Sequence, residues 1–224
     1  MKPTYHFDGQ TSRRAQSRWL ARLSGAVLLV PACLLCGCLS RPPLKEQTFA
    51  FSIPALPATN AAAADRVLGV RTLQIASPFD GRSLIYRTGE FSFERDPYAE
   101  FLGSPAEGLV APVCGLLRAA GCFSAVVGPR NLSTAKSDAL VDITLNQLYG
   151  DIRKREVPAA VLTLQVTFSD ATNGLAGRVI LQRNYARRIP VNSATAAALM
   201  AGWNQALMEI VAEVASDFCA RTAR

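Results

Sequence analysis

Cys38 is the residue whose surroundings best fit a specific chemistry, the covalent acylation of a thiol. It ends the stretch LCGC, which follows an uncharged apolar run over residues 23–35 and several upstream arginines. Positive charge, an apolar core of about 7–15 residues and small residues before the cleavage site are typical of a secretory signal. The run is too short for a membrane-spanning helix, which needs ~20 apolar residues. We therefore predict that residues 1–37 are a cleaved export signal.

The residues before Cys38 resemble the bacterial lipobox, with Leu35 at position −3 and Gly37 at position −1. In that motif the thiol is diacylated, the chain is cut before the cysteine, and the new amino terminus is acylated. Acyl chains contribute ~0.8 kcal/mol per buried methylene, so several chains on one residue anchor a soluble domain firmly. The sequence predicts a lipoprotein lipidated at Cys38. Leu39, rather than aspartate, resembles the signal that sorts such proteins to the periplasmic face of the outer membrane.

Three alternatives to this assignment remain open. A plain signal peptide could be cleaved at another position. Residues 30–33 form a second box ending at Cys33, although Pro31 at position −2 makes it the poorer fit. Residues 12–14 hint at twin-arginine export, but Gln16 occupies a position where an apolar residue is usual.

Charge and histidine content exclude several function classes for the mature chain. The whole chain has 24 basic and 17 acidic residues, of which the signal carries five and one, so the net charge falls from +7 to +3. No basic stripe interleaved with aromatic residues is present, so we do not expect nucleic-acid binding. The one histidine, His6, leaves with the signal. Carboxylate pairs such as Glu209 and Glu213 look like solvated helix surface, so we predict no enzyme activity, no metal and no cofactor.

Three cysteines remain after acylation of Cys38, namely Cys114, Cys122 and Cys219. An odd number excludes a fully paired framework, and no spacing suggests a metal site. Cys114 could pair with Cys219 if their helices are neighbours, or with Cys122 if the chain folds back at Gly121. Three small buried thiols are the favoured interpretation.

Local patterns divide the chain into a signal (1–37), a lipidated tether with a first strand and linker (38–64), and a domain (65–224). The strand of the tether is predicted at 48–53 and the first domain strand at 66–76. A hairpin around Thr88 and Gly89 follows, and Ser104 begins a helix that Gly121 ends. A short strand over residues 123–127 completes this half of the domain.

The second half of the domain is predicted to be an antiparallel meander followed by a long helix. Its strands cover 139–149, 159–168 and 178–185, where alternation of apolar and polar residues favours a sheet with one wet face. The helix covers 194–220, and its apolar stripe recurs every three or four residues. The fold class is α+β, a mainly antiparallel sheet with two helices on one face, behind a lipoprotein signal peptide.

Five aromatic residues lie close together in the sequence around the hairpin, in a segment too short to bury all of them. We expect Phe91 and Phe93 to share a side. Exposed aromatic residues near a sheet edge commonly mark a protein contact, although they could instead cover the core. The predicted partner interface consists of Tyr86, Phe91, Phe93, Tyr98 and Phe101.

This order of elements behind a lipobox resembles the ABC-type transport auxiliary lipoprotein family. The likeness covers nearly the whole mature chain and is carried by residues 49–54, 84–91, 98–105 and 121–126. Pro112 departs from the family pattern, because it falls inside a helix that is usually uninterrupted.

The resemblance implies a role in transport and no reaction. Such lipoproteins act beside an ABC ATPase, a permease and an MCE-type periplasmic protein that move lipids between the inner and outer membranes. This chain would dock that machinery at the outer membrane, and homo-oligomers are expected in such a family. The alternatives are a periplasmic protein that binds lipid directly and an outer-membrane assembly lipoprotein.

Overall fold

Eight strands and two helices make up the described part of the chain, residues 45–54, 65–171 and 177–222 of a computed structural model. The predicted signal, Cys38 and most of the predicted linker lie outside these residues. The strands are β1 (Gln47–Phe49), β2 (Val67–Ile75), β3 (Ser83–Arg87), β4 (Phe93–Phe101), β5 (Ala125–Val127), β6 (Ala139–Asp151), β7 (Ala159–Asp170) and β8 (Val179–Pro190). The helices are α1 (Pro105–Ala119) and α2 (Ala196–Thr222).

Strand β6 is the centre of the sheet because it pairs with three other strands. On one edge β7 pairs with it in antiparallel fashion along its whole length, and β8 continues the meander. On the other edge β6 pairs in parallel first with β2 and then, near its end, with β3 through Tyr86 and Gly150. The predicted meander is confirmed, and each of its strands is longer than predicted.

Strand β4 folds back on β3 and extends the sheet at one end. Arg87 pairs with Phe93, and the turn between them is closed by the N–H of Thr88, which donates to the carbonyl of Ser92 at 3.0 Å. The return strand therefore begins later than the predicted hairpin. Strand β1 pairs in parallel with the end of β4, and β5 pairs in parallel with β2. The antiparallel ladders of β6, β7 and β8 are the longest, so most paired residues are antiparallel although several shorter pairings are parallel. The result is an open, mostly antiparallel sheet of α+β class, as predicted.

Both helices pack on one face of the sheet and contact each other, α2 over β7 and β8 and α1 over β2 and β5. The indole N–H of Trp203 donates to the carbonyl of Tyr149 at 3.3 Å, so this buried donor is satisfied. The predicted stripe of α2 is confirmed, since each of its residues is at most 2 % exposed. These residues are Leu199, Trp203, Leu207, Ile210, Val214 and Phe218.

Ion pairs join α2 to the edge strand β8. The guanidinium of Arg183 lies 3.0 Å from Glu213 and 2.5 Å from Asp217. That of Arg187 lies 3.1 Å from Glu209 and 2.8 Å from Glu213. The two glutamates were expected to be solvated helix surface, but they face the arginines of a neighbouring strand. Partly exposed pairs of this kind contribute about 0–1 kcal/mol each.

Cys122 and Cys219 form a disulfide, with their Cα atoms 5.9 Å apart and a sequence separation of 97. The expectation of three unpaired thiols is therefore wrong, and so are both suggested pairings of Cys114. After α1 ends, Gly121 adopts a positive φ of 75° and Cys122 reaches the last turns of α2. Cys114 lies on the buried side of α1 and is a free thiol.

Candidate functional site

Phe101 belongs to the core and does not contribute to a surface of the described domain. Its ring is 3 % exposed, stacks on Phe51 at a centroid distance of 5.6 Å, and lies 6.3 Å from the ring of Trp203. The physical reason is that the end of β4 is covered by β1 and α2. Phe101 is therefore removed from the predicted partner interface.

Tyr86 is half-buried, and its polar end is already engaged within the hairpin. Its hydroxyl donates to Oδ2 of Asp96 at 2.7 Å. Burial, together with this bond to a carboxylate, raises the pKa of Tyr86 above its ordinary value. The side chain thus links β3 to β4.

Phe93 is partly exposed and belongs to a small aromatic cluster on the sheet face opposite the helices. Its ring meets those of Phe79 and Tyr149 edge-on, at centroid distances of 6.1 and 5.4 Å. The guanidinium of Arg87 lies over it, 5.7 Å from the centroid. Contacts of this geometry stabilise a fold by about 0.5–1.5 kcal/mol each, so Phe93 has a structural role on this face.

Phe91 is the most exposed member of the predicted set, and Phe93 and Tyr98 are exposed to nearly the same degree, 45 % and 44 %. Phe91 is 87 % exposed and lies in the turn between β3 and β4, where strand alternation does not apply. Tyr98 is exposed on β4, and Oδ1 of Asp96 accepts its backbone N–H at 2.8 Å. Phe91 therefore lies outside the strand alternation from which a shared side with Phe93 was predicted.

Two turns lie side by side at one end of the sheet, and we call them the tip surface. They are residues 88–92, between β3 and β4, and residues 152–158, between β6 and β7. The N–H of Ile152 donates to the carbonyl of Arg87 at 3.0 Å, which places the two turns next to each other. The tip surface exposes Phe91 and Val157.

The tip surface also carries the only run of three consecutive basic residues in the sequence, Arg153, Lys154 and Arg155. The run lies between the predicted strands 139–149 and 159–168. Its position between two predicted strands was the signal that it would lie in a turn. Neither Lys154 nor Arg155 forms an ion pair within the described residues.

Asp151 fixes the base of the second turn. Its carboxylate is 2 % exposed and accepts hydrogen bonds from Arg153 at 2.7 Å and from Arg188 at 2.5 Å. The bonds from Arg153 and then Arg188 outweigh the opposing effect of burial and lower the pKa of Asp151 well below its usual range. One buried carboxylate thus ties the 152–158 turn to β8.

We expect Asp151→Asn to lower the free energy of unfolding at pH 7 by about 1–3 kcal/mol, since it removes a charged acceptor from two guanidinium groups. The lowered pKa means that this stabilisation is present above the unfolded value near 3.9 and is lost as the pH falls further. In urea titrations, the difference in free energy of unfolding between variant and wild type should therefore shrink as the pH falls from 5 to 3. Glu100→Gln, at an exposed ion pair with Arg82, is the control. A difference that stays constant with pH would contradict this assignment.

An apolar groove runs between the segment 51–54 and the outer side of α1. Phe51, Ile53 and Pro54 form one wall, and Pro112 and Leu116 lie on the other, enclosing about 500 Å³. Gly115 also lines it, and a Cβ atom there would meet nothing within 4 Å. The groove was not predicted, because residues 48–53 were expected to form one strand. That strand ends at Phe49, and residues 51–54 form a wall of the groove instead.

Two features were not found in the described residues, a cluster of metal-binding side chains and a helix able to span a membrane. No three His, Cys, Asp or Glu side chains among them lie close enough together to bind a metal ion. No helix in this part of the chain combines the length and the apolar character that a membrane span requires.

Comparison with solved structures supports the fold. A crystal structure of protein XCC0632 from Xanthomonas campestris has a TM-score of 0.64 at 19 % identity and covers 79 % of this chain and 97 % of its own. An uncharacterized protein has a TM-score of 0.61 at 11 % identity, with coverages of 78 % and 99 %. The PelC dodecamer from Paraburkholderia phytofirmans is 14 % identical, with coverages of 75 % and 96 %, but its TM-score of 0.41 is too low to support an inference about assembly.

Comparison with curated proteins finds no match. The family model of the ABC-type transport auxiliary lipoprotein component matches residues 49–215, which run from the end of β1 to the later turns of α2. The match therefore includes the sheet, both helices, the groove and the tip surface. This chain belongs to the ABC-type transport auxiliary lipoprotein family.

Proposed function

We propose that this chain is an auxiliary lipoprotein of an MCE/ABC-type intermembrane lipid transport system. It is anchored through Cys38 at the periplasmic face of the outer membrane and docks the MCE-type protein of that system. The family match over residues 49–215, behind a lipobox, is the observation that carries the proposal. The role requires a stable domain and a contact surface.

The proposed contact surface for the MCE-type protein lies around the end of β4. Tyr98 and Leu102 are exposed there, and the neighbouring cavity includes Leu102, Phe49 and Phe51. Exposed apolar side chains beside a concave surface are typical of protein contacts. Of the five aromatic residues predicted to meet a partner, Tyr98 is the one retained in this surface.

We expect Tyr98→Ser combined with Leu102→Ser to reduce co-purification with the MCE-type protein at least tenfold. A tenfold loss of affinity corresponds to about 1.4 kcal/mol. Central apolar residues of an interface often contribute about 2 kcal/mol or more to binding, so their removal should exceed that loss. Both side chains are exposed, so the melting temperature should be nearly unchanged. The measurement is affinity purification of tagged, membrane-extracted lipoprotein from cells that produce both proteins.

The control is Val179→Ser, which removes an exposed apolar residue at the start of β8. A folded double variant that still binds as well as wild type would rule out this surface. A wild-type protein that never co-purifies or cross-links with the MCE-type protein would rule out the docking role. Two differently tagged copies in the same cells test the self-association expected from the family.

Direct lipid binding is a second candidate function, favoured by the groove along α1. Its volume of about 500 Å³ and its apolar walls suit part of an acyl chain. Mass spectrometry of lipids that remain with the purified protein is the test, with Gly115→Leu as the variant that fills the groove. Equal lipid content in wild type and variant would exclude this site.

A further inference from the structure

We propose that the tip surface contacts the lipid bilayer, with Phe91 at the boundary between headgroups and acyl chains and with Lys154 and Arg155 against anionic headgroups. The inference rests on the proposed function, because it takes acylated Cys38 as the anchor. It goes beyond that function by assigning an orientation and a lipid-contacting surface to the folded domain.

Covalent geometry limits how far the domain can lie from its anchor. Seven residue steps connect Cys38 to Lys45, the first residue that the structure describes. A fully extended chain of that length spans about 25 Å at most. Once the acyl chains are in the bilayer, Lys45 lies within about that distance of the bilayer surface.

The pairing of β1 determines which end of the sheet Lys45 is near. β1 runs parallel to β4, with Gln47 opposite Ala99, so the chain before Gln47 points back toward the start of β4. Glu46 lines a small cavity together with Pro97 and Tyr98, which agrees with this register. Pro97 is four residues from Phe93, a distance of about 13 Å along a strand. The tip surface is therefore within reach of the anchor.

The opposite end of the sheet lies farther from the anchor than the tip surface does. Ile85 pairs with Arg95, and the next residue of β3, Tyr86, pairs with Gly150. The level of Pro97 therefore corresponds to about Leu148 on β6. From there to Ala139, where β6 begins, is nine residues, or about 30 Å. With the strands upright and that end facing the bilayer, Lys45 would lie about 30 Å above the surface, which is more than a tether of about 25 Å allows.

Charge distinguishes the tip surface from the sheet edge beside the tether. That edge holds more acidic than basic residues: Glu46, Glu94, Asp96 and Glu100 against Lys45, Arg82 and Arg95. The tip surface holds more basic residues, Arg153, Lys154 and Arg155 against Glu90 and Glu156. Each basic side chain near an anionic bilayer contributes about 1 kcal/mol to binding. An anionic bilayer therefore favours the tip surface over the edge.

The apolar residues of the tip surface fit the same orientation. Phe91 projects from a two-stranded hairpin, 87 % exposed, and Val157 is exposed on the neighbouring turn. An aromatic ring gains by entering the boundary between headgroups and acyl chains, where the apolar faces of surface-bound proteins are buried by about 5–10 Å. Because the anchor already holds the domain at the surface, even this small apolar area suffices to set its orientation.

The test uses the processed, acylated protein in vesicles of phosphatidylethanolamine and phosphatidylglycerol with brominated acyl chains, which quench tryptophan fluorescence. Only Trp203 remains in the mature chain, and it is buried. We expect Phe91→Trp to be quenched at least threefold more than Tyr98→Trp, the control on the sheet edge. Adding Lys154→Glu and Arg155→Glu should lower the quenching of Phe91→Trp at least twofold. All four positions are exposed, and circular dichroism verifies the fold.

Equal quenching of Phe91→Trp and Tyr98→Trp in vesicles that carry the protein would overturn the proposal and leave the anchor intact. Failure of the acylated protein to float with the vesicles would overturn the anchor and this orientation together. If Phe91→Trp is unquenched by lipid but becomes shielded from aqueous iodide when the MCE-type protein is added, the surface binds protein and the bilayer assignment is wrong.

Discussion

Replacing Cys38 by alanine should abolish labelling with radioactive palmitate and remove the acyl chains that hold the domain at the outer membrane. An acyl chain of about 15 methylenes contributes roughly 12 kcal/mol to membrane partitioning, at ~0.8 kcal/mol for each methylene. The described residues contain no helix long and apolar enough to cross a membrane. Fractionation and a density gradient measure both the attachment and the membrane to which wild type is sorted.

Cys33→Ala and Cys114→Ala are the matched controls, because one removes the cysteine of the second box and the other a buried thiol of the domain. Both should be processed and labelled like wild type. A Cys38→Ala protein that is still labelled would move the assignment to Cys33. Wild type found at the density of the inner membrane would reject only the outer-membrane location.

Helices and strands whose buried residues recur at a regular spacing were predictable from the sequence. The stripe of α2 and the alternation in β6, β7 and β8 each follow from one segment, because a buried face repeats every 3.6 or every two residues. Gly121 ends α1 at the predicted place because its positive φ of 75° suits glycine best. These signals need no knowledge of which segments become neighbours.

Pairings between distant segments were not predictable in the same way. The aromatic residues around the hairpin occur at both parities, and a register shift between Ser83 and Ile85 breaks the alternation. Which of these side chains is buried depends on contacts with β1 and α2. These two elements lie near the beginning and the end of the described sequence. Phe101 is buried for that reason, whereas Phe91, only ten residues earlier, is exposed.

The tip surface was also not predictable, because it depends on a pairing between distant segments. Both of its turns were recognisable, one as a hairpin turn and one as a basic run between strands. Their adjacency comes from the parallel pairing of β3 with the end of β6, and no local pattern encodes it. The sequence therefore indicated the components of the site but not that they form one surface.

Loss of the Cys122–Cys219 disulfide should lower the free energy of unfolding by about 2–5 kcal/mol, the range usual for native bridges in small secreted domains. The bridge closes a loop of 97 positions between the end of α1 and the end of α2, and so restricts the unfolded chain over most of the domain. We expect Cys122→Ala with Cys219→Ala to unfold at clearly lower urea concentration than wild type. Cys114→Ala, which leaves the bridge intact, is the control.

Counting free thiols tests the disulfide independently of its effect on stability. Denatured, processed wild type should expose one thiol, Cys114, before reduction and three afterwards, because the sulfur of Cys38 stays in a thioether. The bridge lies beside the packed rings of Phe123 and Phe218, 5.0 Å apart, so reduction should also loosen the contact between the two helix ends. Three thiols without reductant, or identical urea curves with and without it, would show that the two cysteines do not pair. In the oxidising periplasm we expect the bridged form, and with it a C-terminal helix end that resists proteolysis until the bridge is reduced.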